Sequence, residues 1–143
     1  MDDLVQWLGE QLDVDAELAD CATREGRWRE MGQSILSDDN MEVVTLCALE
    51  FADHIATHDP ARVLSEIDAK RRIVARYVEA KAERIRIRER YREAFSDGDD
   101  GRSERCRREL HEATLRLQIH NAAVADLASV YADRPGYREE WRP

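Results

Sequence analysis

The sequence predicts a mainly α fold with a small β-meander, in which a long antiparallel helical hairpin packs on an N-terminal helix. Three observations predict it. From Ser103 to Tyr131 a seam runs Cys106, Leu110, Ala113, Leu117, His120, Val124, Leu127 and Tyr131. Its steps alternate four and three, the repeat that keeps one helix face against a partner. Residues 60–95 carry a second helical pattern, and the polar break Ser96-Asp97-Gly98-Asp99-Asp100-Gly101 separates the two. Between the N-terminal helix and this hairpin lie short β-leaning runs.

The elements follow in order within one domain, residues 1–143. Residues 1–26 form the first helix: Leu4, Leu8 and Leu12 stack on one face, and Val5, Trp7, Leu18 and Cys21 widen the stripe. Asp2 and Asp3 suit the positive end of its dipole, and Gly26 ends it. Residues 27–48 form the β segment. Trp28, Ser34-Ile35-Leu36 and Val43-Val44-Thr45-Leu46 are its runs, with Gly32 and Ser37-Asp38-Asp39-Asn40 as turn material. A helix beginning at Met41 is the alternative for the last run.

Residues 49–58 form a short helix, and His58-Asp59-Pro60 punctuates the chain. Asp59 can accept the free amides of the next helix, and Pro60 suits its first turn. Residues 60–131 form the hairpin. On its first arm Val63, Leu64, Ile67, Val74 and Val78 make one stripe. Ile73, Tyr77, Ala80, Ile87, Tyr91 and Phe95 continue it at a rotated angle. Residues 132–143 are a tail whose Tyr137 and Trp141 fold back on the core.

The 143 residues are 37% charged and 43% hydrophobic, with a net charge of −9. The charge is uneven. Residues 1–60 hold 15 acids against 3 bases, while residues 61–96 hold 11 bases against 6 acids. The first hairpin arm is therefore a basic strip in an acidic molecule. Arg84, Arg86, Arg88, Arg90 and Arg92, with Ile87 and Tyr91, form a candidate partner surface. The same basic face, residues 70–92, would serve a nucleic acid, although the remote acidic field opposes a polyanion.

No stretch approaches the roughly 20 apolar residues of a membrane span. The opening Met1-Asp2-Asp3 lacks the order of a secretory signal, and neither end carries a lipidation motif. Three cysteines, Cys21, Cys47 and Cys106, are widely spaced, which suits a reducing compartment. These features predict a cytoplasmic protein without a membrane partner.

Catalytic patterns are weak. Glu50, His54 and His58 share one helix face at successive turns, so a transition metal is a candidate ligand there. Zinc proteases, however, place a glutamate directly after the first histidine, where this chain has Ile55. The glycine-containing break fails as a calcium loop, because its closing position is Arg107. The serines lack a nucleophile elbow, and the glycines form no phosphate loop. No catalytic residue and no cofactor is expected. His120, set between Leu117 and Val124, is expected to be a buried, hydrogen-bonded histidine that fixes register.

Two stretches and the chain start carry a resemblance. They are His54-Ile-Ala-Thr-His58-Asp59-Pro60-Ala-Arg62-Val-Leu64-Ser-Glu66-Ile-Asp-Ala-Lys70-Arg71, the terminal Tyr131-Ala-Asp133-Arg-Pro135-Gly136-Tyr137-Arg-Glu-Glu-Trp141-Arg142-Pro143, and Asp2-Asp3-Leu4-Val5. Together they resemble a family of small uncharacterised proteins, a domain of unknown function, from actinomycetes and their bacteriophages. The resemblance implies a cysteine and a proline before the terminal Tyr-Ala-Asp segment. This chain instead reads Asn121-Ala122-Ala123-Val124-Ala125-Asp126-Leu127, which removes any metal role for that cysteine. The resemblance implies a phage- or actinomycete-type accessory protein with no assigned chemistry.

The expected function is a non-enzymatic interaction or regulatory protein. Its hairpin would bind a protein partner or a second copy of the chain. Nucleic-acid binding through the basic arm, and metal binding or catalysis at Glu50, His54 and His58, are the alternatives.

Overall fold

The computed structural model describes residues 1–23, 27–44 and 49–143; of residues 49 and 50 it describes the backbone only. The described elements run α1 (Asp2–Ala22), β1 (Arg29–Met31), β2 (Ser34–Leu36), β3 (Glu42–Val44), α2 (Leu49–Thr57), α3 (Pro60–Ser96), α4 (Asp100–Ser129) and a 3₁₀ turn (Glu139–Trp141). This is the mainly α architecture with a small antiparallel sheet that the sequence predicts; α3 and α4 pack closely, and α1 packs on α3. The expected helix stop at Gly26, the Thr45-Leu46 end of the third β run, Cys47 and the Glu50 side chain lie outside the described residues. The chain divides into two compact units, residues 9–70 and residues 1–8 with 71–143.

In the unit of residues 9–70 the strand order is β1-β2-β3, all antiparallel. Gly32 opens the two-residue turn between β1 and β2 with φ +68, a conformation that costs glycine little. Ser37 locks the next turn. Its hydroxyl accepts from the Met41 amide at 3.1 Å, and its own amide donates to the Met41 carbonyl at 2.9 Å. These bonds satisfy a serine that is fully buried. Ile35 points the meander's apolar face inward, and α2 packs against β1 and β2 with Ala52 buried. Pairing of Ile35 with Val44 decides for a strand rather than a helix at residues 42–44. Asp59 Oδ1 accepts from the Arg62 amide at 2.7 Å, the cap expected at the start of α3.

In the other unit α4 buries Cys106, Ala113, Leu117, Val124 and Ala128, with Tyr131 just beyond its end. Leu110, His120 and Leu127, also on the seam, are half-buried. The reversal has a specific mechanism. Gly98 takes φ +70, its amide donates to the Phe95 carbonyl, and the Asp99 amide donates to the Ala94 carbonyl. That pair of bonds is a Schellman stop. Asp99 then caps α4 by accepting from the Arg102 amide at 2.9 Å. Beyond the tip Arg102 meets Glu93 and Asp97, and further down Arg90 meets Glu109, as antiparallel arms require.

The first-arm stripe is narrower than expected. Ile67, Tyr77, Ala80, Ile87 and Ala94 are buried, but Val78 is 51% and Phe95 71% exposed. Val78 follows Tyr77 by about 100° around the helix, which turns it away from the buried line. The tail folds back as expected. Trp7, Tyr137 and Trp141 form a cluster with ring centroids 5.4–5.9 Å apart. Trp7 Nε1 donates to the Pro135 carbonyl at 3.1 Å.

Candidate functional site

The five arginines proposed as one partner surface fall on two sides of α3. Alternate residues on an α-helix stand about 200° apart, so Arg84, Arg88 and Arg92 diverge from Arg86 and Arg90. Arg86 pairs with Glu83 at 2.7 Å and Arg90 with Glu109 at 2.9 Å. Arg84 is half-buried, and its Nε is enclosed without a hydrogen-bond partner. Ile87 is only 5% exposed, and Tyr91 is half-buried beside Phe95. Ile87 therefore belongs to the core, and these five arginines lie on two sides of the helix.

A cleft of about 390 Å³ is lined by Arg76, Glu79, Ala80, Glu83, Arg86, Arg116 and His120. It runs between the hairpin arms. His120, expected to be enclosed, is half-buried and lines this cleft. The hydrogen bond from Arg86, with the charges of Arg86, Arg90 and Arg116, holds the Glu83 carboxyl below the usual range. A carboxylate stabilised in its charged form is a poor general acid or base near neutrality. The cleft sets three guanidinium groups against two carboxylates, and no serine, threonine or cysteine lines it.

The histidine pair sits at the end of α2. The rings of His54 and His58 lie 4.3 Å apart, and both residues are exposed. His58 Nδ1 lies 2.9 Å from the His54 carbonyl, which leaves Nε2 outward. Among the described residues no three histidine, cysteine, aspartate or glutamate side chains are grouped to hold a metal ion. The Glu50 side chain is outside that description. A shallow groove of about 310 Å³ adjoins His58, lined also by Leu18, Ala19, Ala22, Trp28, Pro60 and Val63, with Asp15 at its rim.

The whole chain, residues 1–143, matches the model of a family of unknown function, DUF6221. The chain belongs to that family. No curated protein and no solved structure matches it. For this DUF6221 chain the site must therefore be read from its own surface. No described helix is long and apolar enough to cross a membrane.

The surface feature that sequence reasoning missed is the outer side of α4. Leu115 is 47%, Ile119 69% and, just past the helix, Val130 66% exposed. The signal was present. Leu115, Leu117 and Ile119 alternate along a helix, so they cannot all lie on one face. Leu117 took the buried seam, and the other two were left outside.

Proposed function

We propose that this DUF6221 protein is a non-enzymatic interaction protein, a phage- or actinomycete-encoded cytoplasmic accessory factor, that uses its helical hairpin as the binding surface. The observation that supports this is the double-faced α4. One face is closed against α3, while Leu115 and Ile119 stand in water on the other. Adjacent exposed aliphatics rimmed by charge are the composition of a contact surface. The mixed-charge cleft, with its stabilised Glu83 carboxylate, favours binding over catalysis.

The test is photo-crosslinking from position 119 in cells or lysate of the source, with Arg72 of α3 as the control position. Adducts from position 119 and not from 72 are expected. Absence of any adduct from 119, whether with another protein or with the chain itself, would sink the reading.

A second reading, metal binding at the end of α2, has one observation in its favour. The His58 Nδ1 contact with the His54 carbonyl orients Nε2 outward, as in many metal-ligating histidines. Zinc titration by calorimetry, with His54→Ala as the comparison, tests it. Heat of binding that survives the substitution unchanged would remove it.

A further inference from the structure

We propose that the exposed face of α4 binds the same face of a second copy of this chain, with the two helices antiparallel. The inference rests on the hairpin being a binding surface, and it names the occupant. Glu104, Arg108, Leu115, Ile119, Ala122 and Asp126 fall within an arc of roughly 60° on one side of the helix. All six are exposed, whereas Cys106, Ala113, Leu117, Val124 and Ala128 on the opposite side are buried. The helix thus carries two apolar lines, and the fold covers one.

The charges around the uncovered line choose its partner. Arg108 lies two turns before Leu115, and Asp126 lies two turns after Ile119. A two-fold axis between Leu115 and Ile119 brings Leu115 of one copy onto Ile119 of the other. The same operation places Arg108 opposite Asp126 at both ends of the contact, as a self-complementary surface requires. Neither group is held in an ion pair among the described residues, although the Arg108 charge also acts on Glu104. Glu104 is already taken by Arg107 at 2.9 Å. A parallel alignment would set Arg108 against Arg108 and Asp126 against Asp126, and like charges across an interface are unfavourable.

The size of the face sets the strength of the contact. From Arg108 to Asp126 the helix rises roughly 27 Å, and its width is about 10 Å. Two such faces amount to roughly 540 Å² together, below the standard specific interface and in the range of a weak, transient contact. The dimer is therefore weak and concentration-dependent, with dissociation at micromolar concentrations or above.

The experiment is sedimentation of the purified full chain over a roughly thousandfold concentration range that spans the micromolar region. The mass is expected to move from one chain to two. Ile119→Glu should remain a single chain at every concentration while keeping the wild-type circular dichroism and melting. Arg108→Asp and Asp126→Arg should each weaken the dimer about tenfold, and combining them should restore it. That rescue is particular to the antiparallel alignment, since in a parallel pair the double reversal leaves like charges facing. A wild type that stays a single chain throughout, an Ile119→Glu variant that still dimerises, or a double reversal without rescue each overturns the proposal. If the pure chain never dimerises but position 119 crosslinks to another protein, the second copy is wrong and the binding surface stands. If both measurements fail, the interaction reading falls with it.

Discussion

Gly136 lies against the indole of Trp7 so closely that a Cβ at position 136 would stand 2.8 Å from Trp7 Nε1. Gly136 also takes φ +89, a conformation that side chains disfavour. The tail and the first helix therefore meet through a contact that only glycine permits. Gly136→Ala should destabilise the fold by about 2–3 kcal/mol, from the steric conflict and the backbone conformation together. Gly101→Ala is the control, because its Cβ would meet only Asp99 Oδ1 at 3.7 Å within a helix. That change should be neutral or stabilising by up to about 1 kcal/mol. Urea unfolding of both variants decides; equal effects would contradict the packing described.

The same contact predicts coupling. Trp7→Phe removes the donor to the Pro135 carbonyl and should cost about 1 kcal/mol for the hydrogen bond, with more for lost ring area. It also removes the atom nearest the added methyl of Gly136→Ala. The double variant should therefore be less damaged than the two single effects combined, by at least about 0.5 kcal/mol. Strict additivity in a double-mutant cycle would show that the methyl strains something other than the indole.

Much of this architecture was legible in the chain, for reasons tied to particular residues. The seam from Cys106 to Tyr131 could be read because a regular repeat identifies a buried face without knowledge of its partner. Gly32, Gly98 and Asp59 could be read because their turn and cap chemistry is local. Val78 and Phe95 were misplaced because a long helix keeps only part of its apolar residues covered, and coverage depends on where the other arm lies. His120 was expected inside from its neighbours in sequence, yet it lines a cleft together with Arg76, Arg116 and two glutamates. The arginine run divides between two sides of α3 for a simpler reason: spacing by two is a strand period, and on a helix it scatters side chains. The outer line of α4 was hidden by the stronger seam beside it.

Acid dependence follows from Asp2. The hydrogen bond from Lys81, with the lysine's charge, holds the Asp2 carboxyl below its ordinary value of 3.8. The same bond raises Lys81 above its ordinary 10.5. A depressed carboxylate contributes stability that is present above its unfolded-state value and is lost as pH falls through the folded one. The raised lysine contributes below its unfolded-state value and loses that share only in strong alkali. Melting temperature should therefore fall more steeply for the wild type than for Asp2→Asn between about pH 5 and pH 2. Parallel acid profiles would mean that the pair is broken in solution.

Thiol reactivity separates the hairpin core from the surface. Cys106 is 5% exposed on the α4 seam, whereas Cys21 is exposed. In a Cys47→Ser background one thiol should react quickly with a disulfide reagent. The second should react at least about a hundredfold more slowly, at the rate of local opening. Cys21→Ser in the same background should abolish the fast phase. Two thiols of equal rate would place Cys106 outside the core.

At the hairpin tip a cap and several ion pairs coexist, and their magnitudes differ. Asp99 accepts a backbone amide that has no partner within its own helix, so Asp99→Ala should cost about 1 kcal/mol. Arg102 reaches Glu93 at 3.6 Å and Asp97 at 3.7 Å from positions open to solvent. Arg102→Ala should therefore cost less than about 0.5 kcal/mol, and less still in high salt. Asp99→Asn should retain most of the cap, because an amide oxygen can accept the same bond. Chemical denaturation of the three variants ranks them. If Arg102→Ala proved the most damaging, the reversal would be held by charge rather than by the satisfied backbone at Gly98 and Asp99.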